Sequence, residues 1–254
     1  MSKQLSSYTD MNFAVVVPMA NEEAEFAPFV DSLSSVLDSI GAGSVYIVLD
    51  KVSKDNTRAM ADELALRDKR FHVVFEPQNR NVVDAYLRGY REAYNRGHDF
   101  IIEMDAGLSH DPTALPHFLD HLINGVSCVF GSRFVPGGSM ENAEFKRVFL
   151  SRFGTFLSNV LLGTKLRDMT SGYQGFTREV VDLFLRYGLL STGHFYQTEL
   201  RYLLRDFNCR EIPIRYTTPS PLVSNDSVKN SLQLLFYYFR LRLKGKSPNL
   251  YHQE

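Results

Sequence analysis

The chain has 254 residues, of which 44% are hydrophobic and 22% are charged. This composition is typical of a globular protein with a substantial core, in one large α/β domain or two small ones. The net charge of −1 gives no reason to expect a nucleic-acid partner. Two cysteines, Cys128 and Cys209, are too few for a disulfide framework and favour a reducing, cytoplasmic compartment.

Strand and helix patterns alternate through the first half of the chain. The strand patterns are short, continuous apolar runs, as expected where both faces of a strand are covered, and the helix patterns space their apolar residues three or four apart. The predicted strands cover residues 13–17, 45–49, 71–75 and 100–104, and the predicted helices cover residues 23–39, 57–67 and 82–96. This alternation predicts βαβ units and a mostly parallel sheet.

The order of elements is looser after Pro112. The predicted helices there cover residues 112–124, 145–162, 179–187 and 195–206, and the predicted strands cover residues 127–130 and 210–216. We therefore predict an α/β fold with one domain over residues 12–227. Its twisted sheet is flanked by helices and has mixed strand directions at its later edge.

The two ends of the chain differ in character. Residues 1–11 form a polar tail without the apolar centre of a signal peptide, and no apolar run approaches the roughly 20 residues of a membrane span. Residues 228–254 hold a last helix, over 228–244, that is rich in leucines, aromatic residues and cations. Such a helix is typical of attachment to an anionic membrane surface or a membrane subunit. The alternative is a C-terminal helix that packs on the domain, with its cations favouring the helix dipole.

Polar residues follow three of the predicted strands. Pro18, Asn21 and Glu22 come after the first strand, Asp50 after the second and Asp105 after the fourth. Because ligands of open α/β sheets bind at the carboxyl ends of the strands, these residues are candidates for one crevice. For Asn21 the alternative is capping of the following helix, whose first turn contains acids.

Asp105 begins a segment close to Asp-x-Asp, the pair with which nucleotide-sugar enzymes hold a metal and a diphosphate. Gly107 stands at the position of the second acid. Mg²⁺ and Mn²⁺ favour carboxylate oxygens, so Asp105 alone predicts weak metal binding unless the phosphates of a donor complete the site.

A series of motifs in one order carries a specific resemblance. They are Val17-Pro18 with Asn21-Glu22, Asp50 to Thr57, Ala85-Tyr86 with Gly89, Met104-Asp105-Ala106 with Leu108-Ser109-His110, Gly131-Ser132-Arg133-Phe134 with Gly137-Gly138, Lys146-Arg147 with Ser151-Arg152, Asp168 to Tyr173, and Phe195 to Leu200. In this series the chain resembles a family 2 glycosyltransferase of the GT-A fold. Within that group it is most similar to the dolichol-phosphate mannose synthases and other polyprenyl-phosphate sugar transferases.

The resemblance implies inverting, single-displacement transfer of a hexose, of mannose or glucose type, from a GDP- or UDP-sugar to a polyprenyl phosphate. It implies that Pro18, Asn21, Glu22 and Asp50 bind the donor and that Asp105 faces its diphosphate or a metal, Mg²⁺ or Mn²⁺. Arg133 and Arg147 would hold the acceptor phosphate, for which forked arginine contacts are suited. The alternative for both arginines is surface charge, or ion pairs with Glu141 and Glu144.

Two further functions stay open. If the acceptor is a saccharide hydroxyl, a carboxylate must take its proton, and Asp168 and Glu199 are the candidates. The alternative for Asp168 is a turn beside Thr170, and for Glu199 a buried pair in its helix. Gly107 and the lysine after Asp50 also allow a nucleotide-sugar-binding protein that has lost catalysis. For the enzyme we expect a cytoplasmic location, with peripheral attachment to the cytoplasmic membrane face.

Overall fold

The computed structural model describes residues 11–217 and 225–252. Almost all of the predicted polar tail, residues 1–10, therefore lies outside the described residues. The strands are β1 (Phe13–Pro18), β2 (Ser44–Leu49), β3 (Phe71–Phe75), β4 (Phe100–Glu103), β5 (Cys128–Ser132), β6 (Ser139–Met140), β7 (Gln174–Thr177), β8 (Cys209–Pro213) and β9 (Arg215–Tyr216). The helices are α1 (Glu23–Ile40), α2 (Thr57–Arg67), α3 (Val82–Asn95), α4 (Leu115–Ile123), α5 (Phe145–Leu162), α6 (Arg178–Tyr187), α7 (Tyr196–Leu203) and α8 (Asn225–Leu243), with 3-10 turns at Pro112–Ala114 and Leu250–His252.

Seven strands form the central sheet in the order β3-β2-β1-β4-β7-β5-β8. The first four strands of this order are parallel, β7 is antiparallel to both of its neighbours, and β5 pairs with β8 in parallel. A small second sheet joins β6 to β9. The mixed α/β class is confirmed. The mixed direction is not confined to the later edge as predicted, because β7 lies inside the sheet.

Sequence patterns did not predict β7. It has only four residues, Gln174 to Thr177, and its single large apolar side chain gives no alternation. Gly175 fits because a Cβ there would lie 3.0 Å from the Ile102 side chain and 3.2 Å from that of Phe118. The predicted strand over residues 210–216 is also two strands, since Pro213 ends β8 and β9 pairs with the second sheet.

Helices cover both faces of the sheet and enclose two apolar cores. One core contains the apolar sides of α1, α2 and α4, and the other contains those of α3, α6 and α7 with Leu235 and Tyr238 of α8. The packing interpretation of the last helix therefore holds for one of its faces. Among residues 11–217 and 225–252, no helix is long and apolar enough to cross a membrane.

Candidate active site

Three parallel strands end side by side at the carboxyl edge of the sheet. β1 pairs with β2 on one side and with β4 on the other. The chain moves outward from β1 to β2 and β3 and then returns to β4, so β1 and β4 flank the switch point where such sheets bind ligands. Pro18 is the last residue of β1, Asn21 and Glu22 follow β1, Asp50 follows β2 and Asp105 follows β4. These five candidates therefore lie at one edge of the sheet.

The loops after β1 and β2 are fastened to each other by Asn21. Its side-chain carbonyl oxygen accepts the Lys54 N–H at 2.8 Å, and its own N–H donates to the Ser53 hydroxyl at 3.2 Å. Asn21 has a φ of 58°, a left-handed conformation that asparagine tolerates. The capping interpretation of Asn21 is wrong, because its side chain binds the second loop and the residue that precedes α1 is Glu22.

The second loop contains one structural acid and one accessible acid. Asp55 accepts hydrogen bonds from the hydroxyl and the N–H of Thr57, and bonds of this kind lower its pKa to about 2. Asp50 accepts the Val52 N–H at 2.8 Å and is only partly covered. Lys51 is exposed beside it. Asp50 is therefore the acid of this loop that a ligand can reach.

Asp105 is held on two sides by buried aromatic side chains. The Tyr86 hydroxyl donates to one carboxylate oxygen, and Nε2 of His110 lies 3.6 Å from the other. Nδ1 of His110 accepts the Asp105 N–H at 3.0 Å, so the proton of the neutral ring is on Nε2. Burial lowers the pKa of His110 and favours this neutral form. Asp105 is thus a fixed carboxylate whose side chain is still 33% exposed.

A buried carboxyl group, that of Glu103, supports Asp105 from inside the sheet. It accepts hydrogen bonds from the hydroxyls of Tyr90 and Tyr196 and from the Gln174 amide, at 2.7–2.8 Å. Burial raises its pKa to about 8. The ring of Tyr196 stacks on that of Tyr86, with centroids 5.2 Å apart, so Glu103 and Asp105 belong to one network.

Arg133 and Asp168 form a buried, forked ion pair. Nε of Arg133 donates to one carboxylate oxygen at 2.7 Å and Nη2 donates to the other at 2.8 Å. Burial alone would raise the pKa of Asp168, but the guanidinium charge and its hydrogen bonds hold that pKa below the ordinary value. Asp168 also accepts the N–H of Thr170 at 3.0 Å, as the turn interpretation predicts. A carboxylate bound in this way is poorly suited to remove a proton.

The two arginines predicted for the acceptor share the ring of Tyr216. The Cζ atoms of Arg133 and Arg147 each lie 5.6 Å from its centroid, and Nη2 of Arg147 donates to its hydroxyl at 2.9 Å. His110, which contacts Asp105, meets the same ring edge-on. Tyr216 therefore joins the arginines to the end of β4. Of the predicted acidic partners, Glu141 instead pairs with Arg215 at 3.0 Å.

Glu199 fastens the last helix to the domain. Its carboxylate accepts the N–H groups of Leu190 and Ser191 at 2.8 and 2.9 Å and the hydroxyl of Tyr238 in α8. It is fully buried, and this burial raises its pKa. These contacts are those of a structural residue, and its predicted alternative as a base gains no support from them.

The sequence matches the family model for glycosyl transferase family 2 over residues 14–184. The chain belongs to this glycosyltransferase family. It is 32% identical to the polyprenol monophosphomannose synthase of Mycolicibacterium smegmatis, over 91% of this chain and 87% of that protein. It is 31% identical to the undecaprenyl-phosphate mannosyltransferase of Micrococcus luteus, over 81% of this chain and 84% of that protein.

Solved structures show the same glycosyltransferase fold. A glucosyl-3-phosphoglycerate synthase from Mycobacterium tuberculosis, in complex with Mn²⁺, UDP and phosphoglyceric acid, superposes with a TM-score of 0.67 and 17% identity. The match covers 98% of this chain and 83% of that one. At this level of identity the likeness establishes the GT-A fold, and the predicted fold class is confirmed.

The candidate site contains two features that the sequence did not predict. Tyr86 belongs to one of the motifs that carry the family resemblance, but only the fold shows that its hydroxyl reaches Asp105. Glu103 is an acid at the end of an otherwise apolar strand, and this pattern could have indicated a buried acidic side chain near the site. Within residues 11–217 and 225–252, no three acidic, histidine or cysteine side chains gather as metal ligands.

Proposed function

We propose that this glycosyltransferase moves a hexose of mannose type from a nucleotide-diphosphate sugar to a polyprenyl phosphate. The observation that carries the proposal is the pair Arg133 and Arg147, which flank Tyr216 close to the site of Asp105. The names of the two relatives, both of which concern mannose and a polyprenyl carrier, support the sugar and the acceptor.

The donor is proposed to bind at the carboxyl edge of the sheet. Pro18 ends β1, and Asn21 and Asp50 lie in the two joined loops. These three residues would contact the nucleoside, with Glu22 beside them. Asp105, at the end of β4, would face the diphosphate. A divalent ion, Mg²⁺ or Mn²⁺, would balance the charge of the leaving diphosphate when bound, and a carboxylate oxygen of Asp105 is a ligand that such ions favour.

The acceptor phosphate is proposed to bind at Arg133 and Arg147. Nε and Nη2 of Arg133 are occupied by Asp168, but no described residue hydrogen-bonds Nη1. The ion pair holds the guanidinium plane in place, so Nη1 can donate to a phosphate oxygen without loss of side-chain entropy. Cations aimed at an anionic acceptor position it and balance its charge during transfer.

A phosphate acceptor needs no general base because it is already an anion at neutral pH. In the proposed single displacement, an acceptor oxygen bonds to the anomeric carbon as the bond from that carbon to the donor diphosphate breaks. The configuration at the anomeric carbon inverts, and a nucleoside diphosphate leaves. The buried contacts of Asp168 and Glu199 fit this chemistry better than proton removal from a saccharide hydroxyl.

The outer face of α5 supports a lipid-bound acceptor. The residues that α5 buries include Thr155 and Ser158, whereas its exposed side carries a stripe of large apolar residues. The stripe consists of Phe145, Phe149, Leu150, Phe153, Phe156 and Val160. A contiguous apolar surface of this kind marks an interaction site. The same helix carries Arg147, so the stripe begins next to the proposed phosphate site.

The charges around the stripe favour an anionic membrane as its occupant. Residues 145–167 contain five cations and no acid. α8 lies against α5, where Arg242 donates to the carbonyl oxygens of Val160 and Leu161 at 3.1 and 3.0 Å. α8 adds exposed Phe236 and Tyr237. We therefore propose peripheral attachment through α5 and α8 together, and a membrane subunit as the other candidate partner.

The test is transfer of labelled sugar from a panel of GDP- and UDP-sugars to a short polyprenyl phosphate, with Mn²⁺ or with EDTA. We expect mannosyl product, and Arg147→Gln should lower its rate about a hundredfold. Arg67→Gln, an exposed change on α2, is the matched control and should leave the rate unchanged. Donor binding without product would refute the proposal, and product on a saccharide acceptor alone would replace the phosphate by a hydroxyl.

A further inference from the structure

Gly107 has a conformation that excludes most side chains. Its φ is +73°, in the left-handed region, and it stands where the family pattern has the second acid of Asp-x-Asp. A Cβ at this position would lie 3.0 Å from Oε2 of Glu22. The carboxylate of Glu22 therefore lies next to the space that an acidic side chain at residue 107 would enter.

Glu22 is a half-buried carboxylate without a compensating partner among the described residues. Burial raises its pKa first, and the negative charge of Asp105 raises it further, followed by those of Glu25 and Asp55. Its backbone N–H donates to Thr57, but no described residue donates a hydrogen bond to its carboxylate. The charges of Glu22 and Asp105 therefore repel each other, and a cation beside Gly107 would offset both.

We propose that Glu22 supplies the acid that Gly107 lacks, so that Glu22 and Asp105 bind the divalent cation together with the donor diphosphate. The inference rests on the nucleotide-diphosphate donor of the proposed function. It gives Glu22 a role towards the phosphates and not towards the nucleoside. Two hard oxygen ligands from the protein suit Mg²⁺ or Mn²⁺, which keep several positions for phosphate and water.

The test is Mn²⁺ binding by the full chain, followed by electron paramagnetic resonance of free Mn²⁺, alone and with GDP or UDP. Glu22→Gln should weaken Mn²⁺ binding in the nucleotide complex at least about tenfold, as loss of a metal contact does. Glu25→Gln is the matched control. It removes an exposed acid that acts on Glu22 only through space, and it should change the affinity less than about threefold.

Nucleotide binding in EDTA separates the two roles of Glu22. The proposal expects Glu22→Gln to leave nucleotide affinity in EDTA unchanged. If Glu22 instead contacted the nucleoside, the substitution would weaken nucleotide binding in EDTA as much as in Mn²⁺. The proposal is overturned by that result, by equal losses in the two variants, or by a wild-type protein that binds no Mn²⁺ with either nucleotide. No acceptor is present, so these outcomes are independent of whether sugar transfer to polyprenyl phosphate succeeds.

A second variant moves the acid back to its position in the family pattern. Aspartate tolerates left-handed φ better than most residues, so Glu22→Gln combined with Gly107→Asp should regain Mn²⁺ binding. Circular dichroism checks that the double variant is folded. A folded double variant that binds Mn²⁺ no better than Glu22→Gln would contradict the idea that the Glu22 carboxylate takes the place of an acid at residue 107.

Discussion

Replacing the aromatic residues of α5 should detach the protein from membranes without unfolding it. Phe149 and Phe153 stack on each other and are 56% and 49% exposed. Burial of a whole phenylalanine side chain contributes about 1.5–3 kcal/mol, so the exposed halves of both residues together contribute about this much on a membrane. Phe149→Gln with Phe153→Gln should therefore lower membrane partitioning roughly 10- to 100-fold.

The assay is flotation of the full chain with anionic and with neutral liposomes at low salt. Leu66→Gln is the control, since Leu66 is 76% exposed on α2, which packs against the other core. Glutamine is a good helix former, so the unfolding free energy of each variant should stay within about 0.5 kcal/mol of the wild type. Unchanged flotation of the double variant, or equal loss in Leu66→Gln, would refute the membrane face.

Three further predictions concern the buried carboxylates. Asp168→Asn leaves Arg133 buried without its counter-charge and should lower the unfolding free energy in urea by about 3–5 kcal/mol; an inactive variant of wild-type stability would instead indicate a base. Glu199→Gln loses charged acceptors for two N–H groups and for Tyr238, and should lower stability by about 1–3 kcal/mol with an unchanged pH profile of transfer; a flattened pH profile would count against this. Glu103 keeps its proton in the folded state up to a pKa of about 8, against 4.5 when unfolded, so stability should fall as the pH rises through this window. Glu103→Gln should abolish that slope in urea titrations, and a slope that persists would show that another group causes it.

The strand and helix pattern of the first half was predictable because local periodicity and burial agree there. α2 and β3 have the bounds that the sequence predicts, as does α5 in the second half. β7 escaped prediction because its place depends on Gly175 fitting between Ile102 and Phe118, which are far away in the sequence. Only the fold supplies such a neighbour.

The candidate site also combines features that the sequence predicts with contacts that it does not. That Asp50 and Asp105 share one sheet edge follows from a rule about parallel strands, so the sequence sufficed. The sequence did not predict the partner of Arg133, because Asp168 is 35 residues away and only the fold brings the two together. The contact between Glu22 and the space beside Gly107 was equally invisible, since it depends on how two loops meet.

The position of α7 gives the protein a mechanical link between its surface and its site. One residue of α7, Glu199, holds Tyr238 of α8, and another, Tyr196, stacks on the Tyr86 that holds Asp105. With the proposed attachment, a displacement of α8 at a lipid surface would be transmitted through α7 to the side chains that hold Asp105. Binding linkage is reciprocal. If membrane binding changed the affinity for the donor by some factor, a bound donor would change the affinity for the membrane by the same factor.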